Sequence, residues 1–553
     1  MCVWHRRFML AVIRNAGSDM STPQAETSSP PTIPAPAYGF HPSVFARDNP
    51  DKPAIIMGAS GQVISFGELD ALSNQVAHLL RQQGLQIGDK VGICLDNHPL
   101  YLVLAWGAQR AGLFMTTIPY RLTAPEIAYM LEDSGAKLIF GSEEFDSLLN
   151  DLAPLTPHVT QLRFGGQGEQ DLAAALRAMP CTPIADERAG SDLLYSSGTT
   201  GKPKAVDVGL PVDPAIDARH WIGDMIEGFG ATRDSVFLSP APMYHAAPIR
   251  WSMAFQRIGA TVVVMEKFDA EAALQHIEKY RVTDSQWVPT HFVRMLDLPE
   301  STRQKYDLSS HRNATHAAAP CPLGIKQGMI DWWGPIILEY YGASEGIGFT
   351  MIDSADWLQH PGSVGRSIIG TVHICDEQGQ EVPPRTEGQV FFETSRTFSY
   401  LNAPEKTKEC YNAQGWASVG DVGWIDAQGY LYLTDRKSHM IISGGVNIYP
   451  QEIENLLIMH PQVLDVAVIG APDKEMGEKV VAVVTPKNMA DAGPELAQAL
   501  YAWMAPQLSK IKTPKQIDFR AELPREPTGK LFKRKLRDEY KLAAEHASSP
   551  GSL

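Results

Sequence analysis

In the segment ISFGELDALSNQVAHLLRQQGLQIGDKVGIC, apolar residues recur near the helical period at Leu69, Leu72, Val76, Leu79 and Leu80, behind a capping Ser65. A turn at residues 84–88 and a strand at 91–95 follow, so the pattern predicts a helix feeding a buried strand. The same alternation recurs at 101–111, 124–133 and 137–140, then with strand-like runs at 235–238, 261–265 and 336–339 and a helix at 270–280. Alternating elements of this kind predict sheets with crossover helices. No fixed-period repeat is present, which argues against a solenoid.

Near residue 362 the texture changes to short β-like runs with glycine turns (389–393, 422–425, 431–434), as in a β subdomain. After the charged stretch 435–439 comes a small α/β unit: helix 451–459, strands 463–469 and 479–485, helix 494–505. The predicted fold class is α/β, a large N-terminal body of α/β layers plus a β subdomain, with a small mobile C-terminal α/β lobe. The expected division is a disordered leader at 1–38, an N-terminal domain at 39–437, a C-terminal lobe at 438–545 and a tail at 546–553. The leader has an apolar run of six residues, 8–13, broken by Arg14, where a signal peptide calls for at least about seven. The Ser/Thr/Pro-rich tract after it reads as an unfolded arm, with Met20 as an alternative start.

Composition narrows the function. Hydrophobic residues make up 44% and charged residues 20% of 553, enough to bury a sizeable core. A net charge of -15 argues against nucleic acid as a partner, so an anionic ligand would need a local basic patch. Residues 509–540 offer one, with ten Lys/Arg against five Asp/Glu. Six scattered cysteines without a CxxC pair read as reduced thiols, neither a disulfide framework nor a zinc site. No run reaches the roughly 18 apolar residues of a transmembrane helix, and a cytoplasmic location is expected.

Residues 191–206, SDLLYSSGTTGKPKAV, place two serines, two threonines, two glycines and two lysines after an apolar run. Such a loop offers backbone N–H groups, hydroxyls and ammonium charge to phosphate oxygens, with no side chain in the way at Gly198 and Gly201. It is not a Walker loop, which needs four residues between its glycines where this chain has two.

This loop, with PYRLTAPEIAYMLEDSGAKLIF, YYGASEG, SVGDVGWIDAQGYLYLTDRK, ISGGVNIYPQEIE and PREPTGKLFKRKLR in the same order, resembles the adenylate-forming superfamily of acyl-CoA synthetases, luciferases and peptide-synthetase adenylation domains. The resemblance runs from about residue 40 to 540. The texture is most like bacterial fatty-acid or steroid-type acid–CoA ligases. It implies an AMP-forming acyl-CoA ligase that joins a carboxylic acid to the α-phosphate of ATP, releases pyrophosphate, and lets the thiol of CoA displace AMP. The rivals are an acyl-AMP ligase loading a carrier protein and a non-catalytic acyl or nucleotide sensor.

The resemblance also implies residue roles. Ser196, Ser197, Gly198, Thr199, Thr200, Gly201, Lys202 and Lys204 would hold the β- and γ-phosphates. Tyr341 would stack on adenine with the Ala319 backbone beside it, Ser344 stands where relatives more often have Thr, and Glu345 would ligate Mg²⁺. Asp421 would accept the ribose hydroxyls and Arg436 would reach ribose and phosphate. Lys530 would bridge carboxylate and α-phosphate, His245 would border the reacting carboxylate, and Gly444 and Gly445 would line the pantetheine tunnel. The family turns its C-terminal lobe about a hinge after Arg436, where this chain has Ser438 in place of the usual Asp or Lys. Ala205 stands where Gly is commoner. Trp251, Phe255, Trp287, Val288 and Ala343 are candidate acyl-pocket walls. The acid is expected to be medium- or long-chain, or bulky and alicyclic, and self-association is left open.

Overall fold

The computed structural model describes residues 39–166, 168, 171–196, 203–436, 439–444, 446–525 and 531–548. The leader, the tail, Ser197, Gly198, Thr199, Thr200, Gly201, Lys202, Ser438, Gly445 and Lys530 lie outside the described residues.

The helix predicted from Ser65 is Phe66–Gln82, and Ser65 and Glu68 cap it reciprocally, each side chain bonding the other's backbone N–H. Its apolar stripe, Leu69, Val76, Leu79 and Leu80, is fully buried. Behind it stands an all-parallel sheet in the order Thr160–Phe164, Ala136–Ser142, Lys90–Ile93, Phe114–Thr117 and Ser191–Asp192. Helices Tyr101–Arg110 and Ala124–Ser134 are its crossovers. Such parallel pairing needs both faces covered, and Phe114–Thr117 is buried at every position and Ala136–Ser142 at all but one.

A second, 13-stranded sheet has a parallel centre of Pro53–Met57, Thr261–Val264, Val236–Ser239, Asp284–Trp287, Asn313–His316 and Ile337–Gly342. From Phe349 onward its pairing turns antiparallel. The β subdomain is thus hydrogen-bonded to the main sheet through strand Ser363–Ile369, while keeping a core of its own around Val364, Val390, Phe392 and Phe398. The junction carries register shifts at Phe349/Thr350 and Ser363/Gly365. Gly365 sits there with φ +95°, where a Cβ would fall 1.9 Å from the Met351 carbonyl oxygen, so only glycine fits.

The third sheet joins Ile441–Ser443, Val446–Ile448, Val463–Asp473, Gly477–Pro486 and Gln516–Phe519, with helices Pro450–Leu457 and Pro494–Met504 on its own core of Ile453, Leu457, Val468, Val484 and Leu500. A three-stranded ribbon, Leu194–Ser196, Lys204–Asp207 and Ser399–Tyr400, completes the described strands.

Three of the candidate pocket walls are core residues instead. Phe255 stacks on Phe237 at 4.3 Å, Trp251 stacks on Tyr340 at 5.7 Å, and Trp287 packs edge-on to Trp333. All three are at most 4% exposed. Phe237→Ala is expected to cost about 3–5 kcal/mol through the cavity it leaves. Thermal unfolding of the purified variant checks this, and an unchanged transition would contradict the packing.

Candidate active site

Three chain segments far apart in sequence supply the centre of the site. Ile337–Gly342 alternates its side chains, so Tyr340 goes into the core while Tyr341 points to the other side. The phenol of Tyr341 donates to Asp421 Oδ2 at 2.6 Å. Asp421 opens strand Asp421–Ile425 and lies opposite Arg436 in the antiparallel pair, where Arg436 Nε donates to Asp421 Oδ1 at 3.1 Å. Both carboxylate oxygens are engaged, and each keeps a further lone pair for another donor. Burial and the Asp421 carboxylate hold the Tyr341 phenol well above its ordinary range, so it stays a donor. Burial opposes the Arg436 charge, but Asp421, Tyr341 and Glu345 together raise its pKa.

The turn after Tyr341 is closed by Gly346 N–H donating to the Ala343 carbonyl at 3.0 Å. It carries Ser344, half-buried, and Glu345, 8% exposed. Glu345 Oε1 accepts from the Tyr400 hydroxyl at 2.7 Å. Tyr400 lies on the third strand of the ribbon, opposite Val206, and its ring faces the Lys204 ammonium at 5.2 Å. Burial and Glu345 push its phenol up as well. Tyr400 escapes sequence reasoning because Glu345 is 55 residues away and no spacing rule links them.

Strands Leu194–Ser196 and Lys204–Asp207, which flank the candidate phosphate loop, pair antiparallel with Ser196 opposite Lys204. Tyr129 donates to the Pro203 carbonyl at 3.0 Å and fixes the loop's far end. The Ala317–Pro320 loop follows strand Asn313–His316 and exposes Ala319. Its neighbour Ala318 has φ +77°, an uncommon conformation for a residue with a Cβ and the kind of strain found at ligand-binding loops. His245 is the N-cap of helix Ala246–Arg257, its ring 4.6 Å from that of Tyr244. One turn on, Arg250 binds Asp192 through Nε at 2.6 Å and Nη2 at 3.0 Å, while Nη1 donates to the Ser344 carbonyl at 3.4 Å. Neither Arg250 nor Asp192 stood out in the sequence.

In the last unit Gly444 has φ +56°, a left-handed backbone conformation that favours glycine, and the end of the flexible Met476 side chain lies against it. The basic stretch 509–540 is a smaller patch than its composition implies. Lys512 pairs with Glu452, Arg520 with Glu539, Arg525 with Asp465, Arg537 with Glu478, and Lys533 with the buried Glu454. These cations hold the lobe together rather than standing open to a ligand.

Among the described residues no three His, Cys, Asp or Glu side chains gather as a metal site. One buried carboxylate does suit Mg²⁺, which is usually held by one or two carboxylates with substrate phosphates and water. Also among the described residues, no helix is long and apolar enough to cross a membrane.

Tyr400→Phe removes the hydroxyl on Glu345 and leaves that carboxylate one donor short. A charged hydrogen bond of about 1.5–3 kcal/mol predicts a loss of about tenfold or more in ATP-dependent turnover. Initial-rate kinetics check it, and unchanged turnover would exclude Tyr400 from the site.

Residues 43–400 match the AMP-binding enzyme family and residues 452–530 the AMP-binding enzyme C-terminal domain. The chain is similar to the long-chain-fatty-acid–CoA ligase FadD13 of Mycobacterium tuberculosis, 32% identical over 86% of this chain and 93% of that one. A bicyclic methyl-dioxo-indenyl-propanoyl:CoA ligase of Rhodococcus jostii is 32% identical over 90% and 98%. A fatty acid–acyl-carrier-protein ligase of Streptomyces coeruleorubidus is 29% identical over 90% and 95%. Among solved structures, ATP-bound MatB from Rhodopseudomonas palustris superimposes with a TM-score of 0.76 at 29% identity, over 91% of this chain and 99% of that one. The chain belongs to the AMP-binding, adenylate-forming enzyme family and is an acid–thiol ligase.

Proposed function

We propose that the protein is an AMP-forming acyl-CoA ligase for a medium- or long-chain acid or a bulky alicyclic, steroid-type acid. The observation that carries this reading is the Tyr341–Asp421–Arg436 cluster standing beside the buried Glu345 and its Tyr400–Lys204 support. A carboxylate with a free lone pair on each oxygen suits a vicinal diol such as ribose. A carboxylate oxygen of the acid attacks the α-phosphorus, the bond to pyrophosphate breaks, and the acyl-adenylate remains. The thiol sulfur of CoA then attacks the acyl carbon, AMP leaves and the thiol proton passes to solvent.

In this reading Lys204 and residues 196–202 hold the phosphates and Lys530 neutralises charge developing between carboxylate and α-phosphate. His245 borders the acyl carboxylate, Ala319 and Tyr341 flank adenine, and Gly444 and Gly445 leave room for the pantetheine arm. Mg²⁺ held by Glu345 and phosphate oxygens would screen the triphosphate charge. The C-terminal lobe begins near residue 438 and moves between the two half-reactions.

The relatives named for fatty-acid and bicyclic-acid CoA ligation support the substrate class. The carrier-protein ligase among them favours a second reading, in which the acceptor is a protein-bound pantetheine. A panel of carboxylic acids with ATP, offered free CoA or a phosphopantetheinylated carrier protein and scored by product mass, separates the two. Medium or longer acids are expected to exceed acetate, since each buried methylene contributes about 0.8 kcal/mol. Acetate as the best substrate by kcat/KM would overturn this preference.

A further inference from the structure

The loop that carries Ala319 is held at both ends by one buried carboxylate. Strand Asn313–His316 delivers the chain to this loop, and helix Leu323–Trp333 takes it away. His316, the last residue of the strand, stands opposite Glu339 in the parallel pair with Ile337–Gly342. Lys326, on the helix, donates from Nζ to Glu339 Oε2 at 2.5 Å. The Lys326 side chain is shut off from water, with its ammonium 4.9 Å from the centroid of the Trp357 ring, and Glu339 is buried with it. His316 is equally buried, and its Nε2 lies 3.6 Å from the same carboxylate oxygen. Burial first, then the Lys326 ammonium, hold its imidazole neutral, so the charged bond on Glu339 belongs to Lys326.

Glu339 also belongs to the strand on the other side of the candidate adenine site. Side chains two apart on a strand point to the same face, and Tyr341 follows Glu339 by two. The Ala319 loop itself is strained, with Ala318 at φ +77°. A backbone of that kind persists only where its surroundings fix it. Residues 318–320 are exposed, so packing over the loop does not do this. What fixes it lies at its roots: the Ala317 N–H donates to the Trp287 carbonyl at 3.3 Å, and Lys326 ties the following helix to Glu339. Burying a charge pair costs desolvation, and apolar residues of similar volume often join two elements as firmly. What the pair adds is a bond of fixed length and direction.

We propose, on the reading that Ala319 and Tyr341 flank adenine, that Lys326 and Glu339 are positioning residues of the nucleotide site. Neither touches ATP. Their buried bond sets the Ala319 loop against the Tyr341 strand so that the gap between them fits the purine ring.

The test uses the full chain, titrated calorimetrically in magnesium buffer with ATP and with inorganic tripolyphosphate, which shares the phosphates and lacks the base. Lys326→Met combined with Glu339→Met replaces the pair by apolar side chains and leaves no buried charge unpaired. This double variant is expected to melt close to the wild type and to bind ATP about tenfold more weakly, with tripolyphosphate affinity held within about twofold. Glu339→Gln keeps the size of the side chain and an oxygen that accepts from Lys326, and is expected to show the same selective loss to a smaller degree. Unchanged ATP affinity in the folded variants would overturn the proposal and leave the ligase reading intact. So would equal weakening of ATP and tripolyphosphate, since that is the mark of a merely structural pair. A wild-type chain that binds ATP no more tightly than tripolyphosphate would sink the adenine-site reading itself, and the positioning role with it.

Discussion

Lys530→Ala is expected to slow pyrophosphate release by about 10² to 10³, the usual effect of removing one preorganised electrostatic contact to a developing charge. In PREPTGKLFKRKLR this lysine follows a glycine in a segment that resembles the family's adenylation-lysine motif, and its ammonium would be needed only while the acid attacks the α-phosphate. Conversion of chemically prepared acyl-adenylate and CoA to thioester is therefore expected to lose far less. Measuring the two half-reactions separately on one folded variant distinguishes the cases. Equal loss in both would contradict the division of labour between the two steps, and no loss in either would make Lys530 a surface lysine.

Asp421→Ala is expected to impair both half-reactions. It removes the acceptor of the Tyr341 hydroxyl and the carboxylate partner of Arg436 in one change. In the proposed site it also removes the acceptor of two ribose hydroxyls, and hydrogen bonds to a charged group are worth about 1.5–3 kcal/mol each, so kcat/KM for ATP is expected to fall by about 10² or more. The acyl-adenylate carries the same ribose, so thioester formation from supplied adenylate should fall too, which separates this variant from Lys530→Ala. An unchanged KM for ATP would show that Asp421 serves only to pair Arg436 with Tyr341.

Much of the architecture is legible in local pattern because its causes are local. The helix 270–280 is found as Ala270–Tyr280, opened by Asp269 accepting from Ala272 N–H. The C-terminal strands 463–469 and 479–485 are found within Val463–Asp473 and Gly477–Pro486. The β subdomain was equally visible as a change of texture, but not its hydrogen-bonded continuity with the parallel sheet. That continuity rests on pairings such as Ser363 with Tyr432, which no window along the chain contains.

The same distinction divides the site. Glycine, hydroxyl and lysine content marked the candidate phosphate loop, because those residue types in one short run suit a cradle for phosphate. The family motifs named Tyr341, Glu345, Asp421 and Arg436 one at a time. Folding alone brought Asp421 between Tyr341 and Arg436, set Tyr400 on Glu345, and turned Trp251, Phe255 and Trp287 into core. It also neutralised much of the basic stretch 509–540 through partners such as Glu454 and Asp465. The sequence by itself determined which elements form and which chemistry the chain carries, since helix period, capping and loop composition act over a few residues. The tertiary structure decided which charges are paired and which aromatics are buried, because both depend on residues that only the folded sheets bring together.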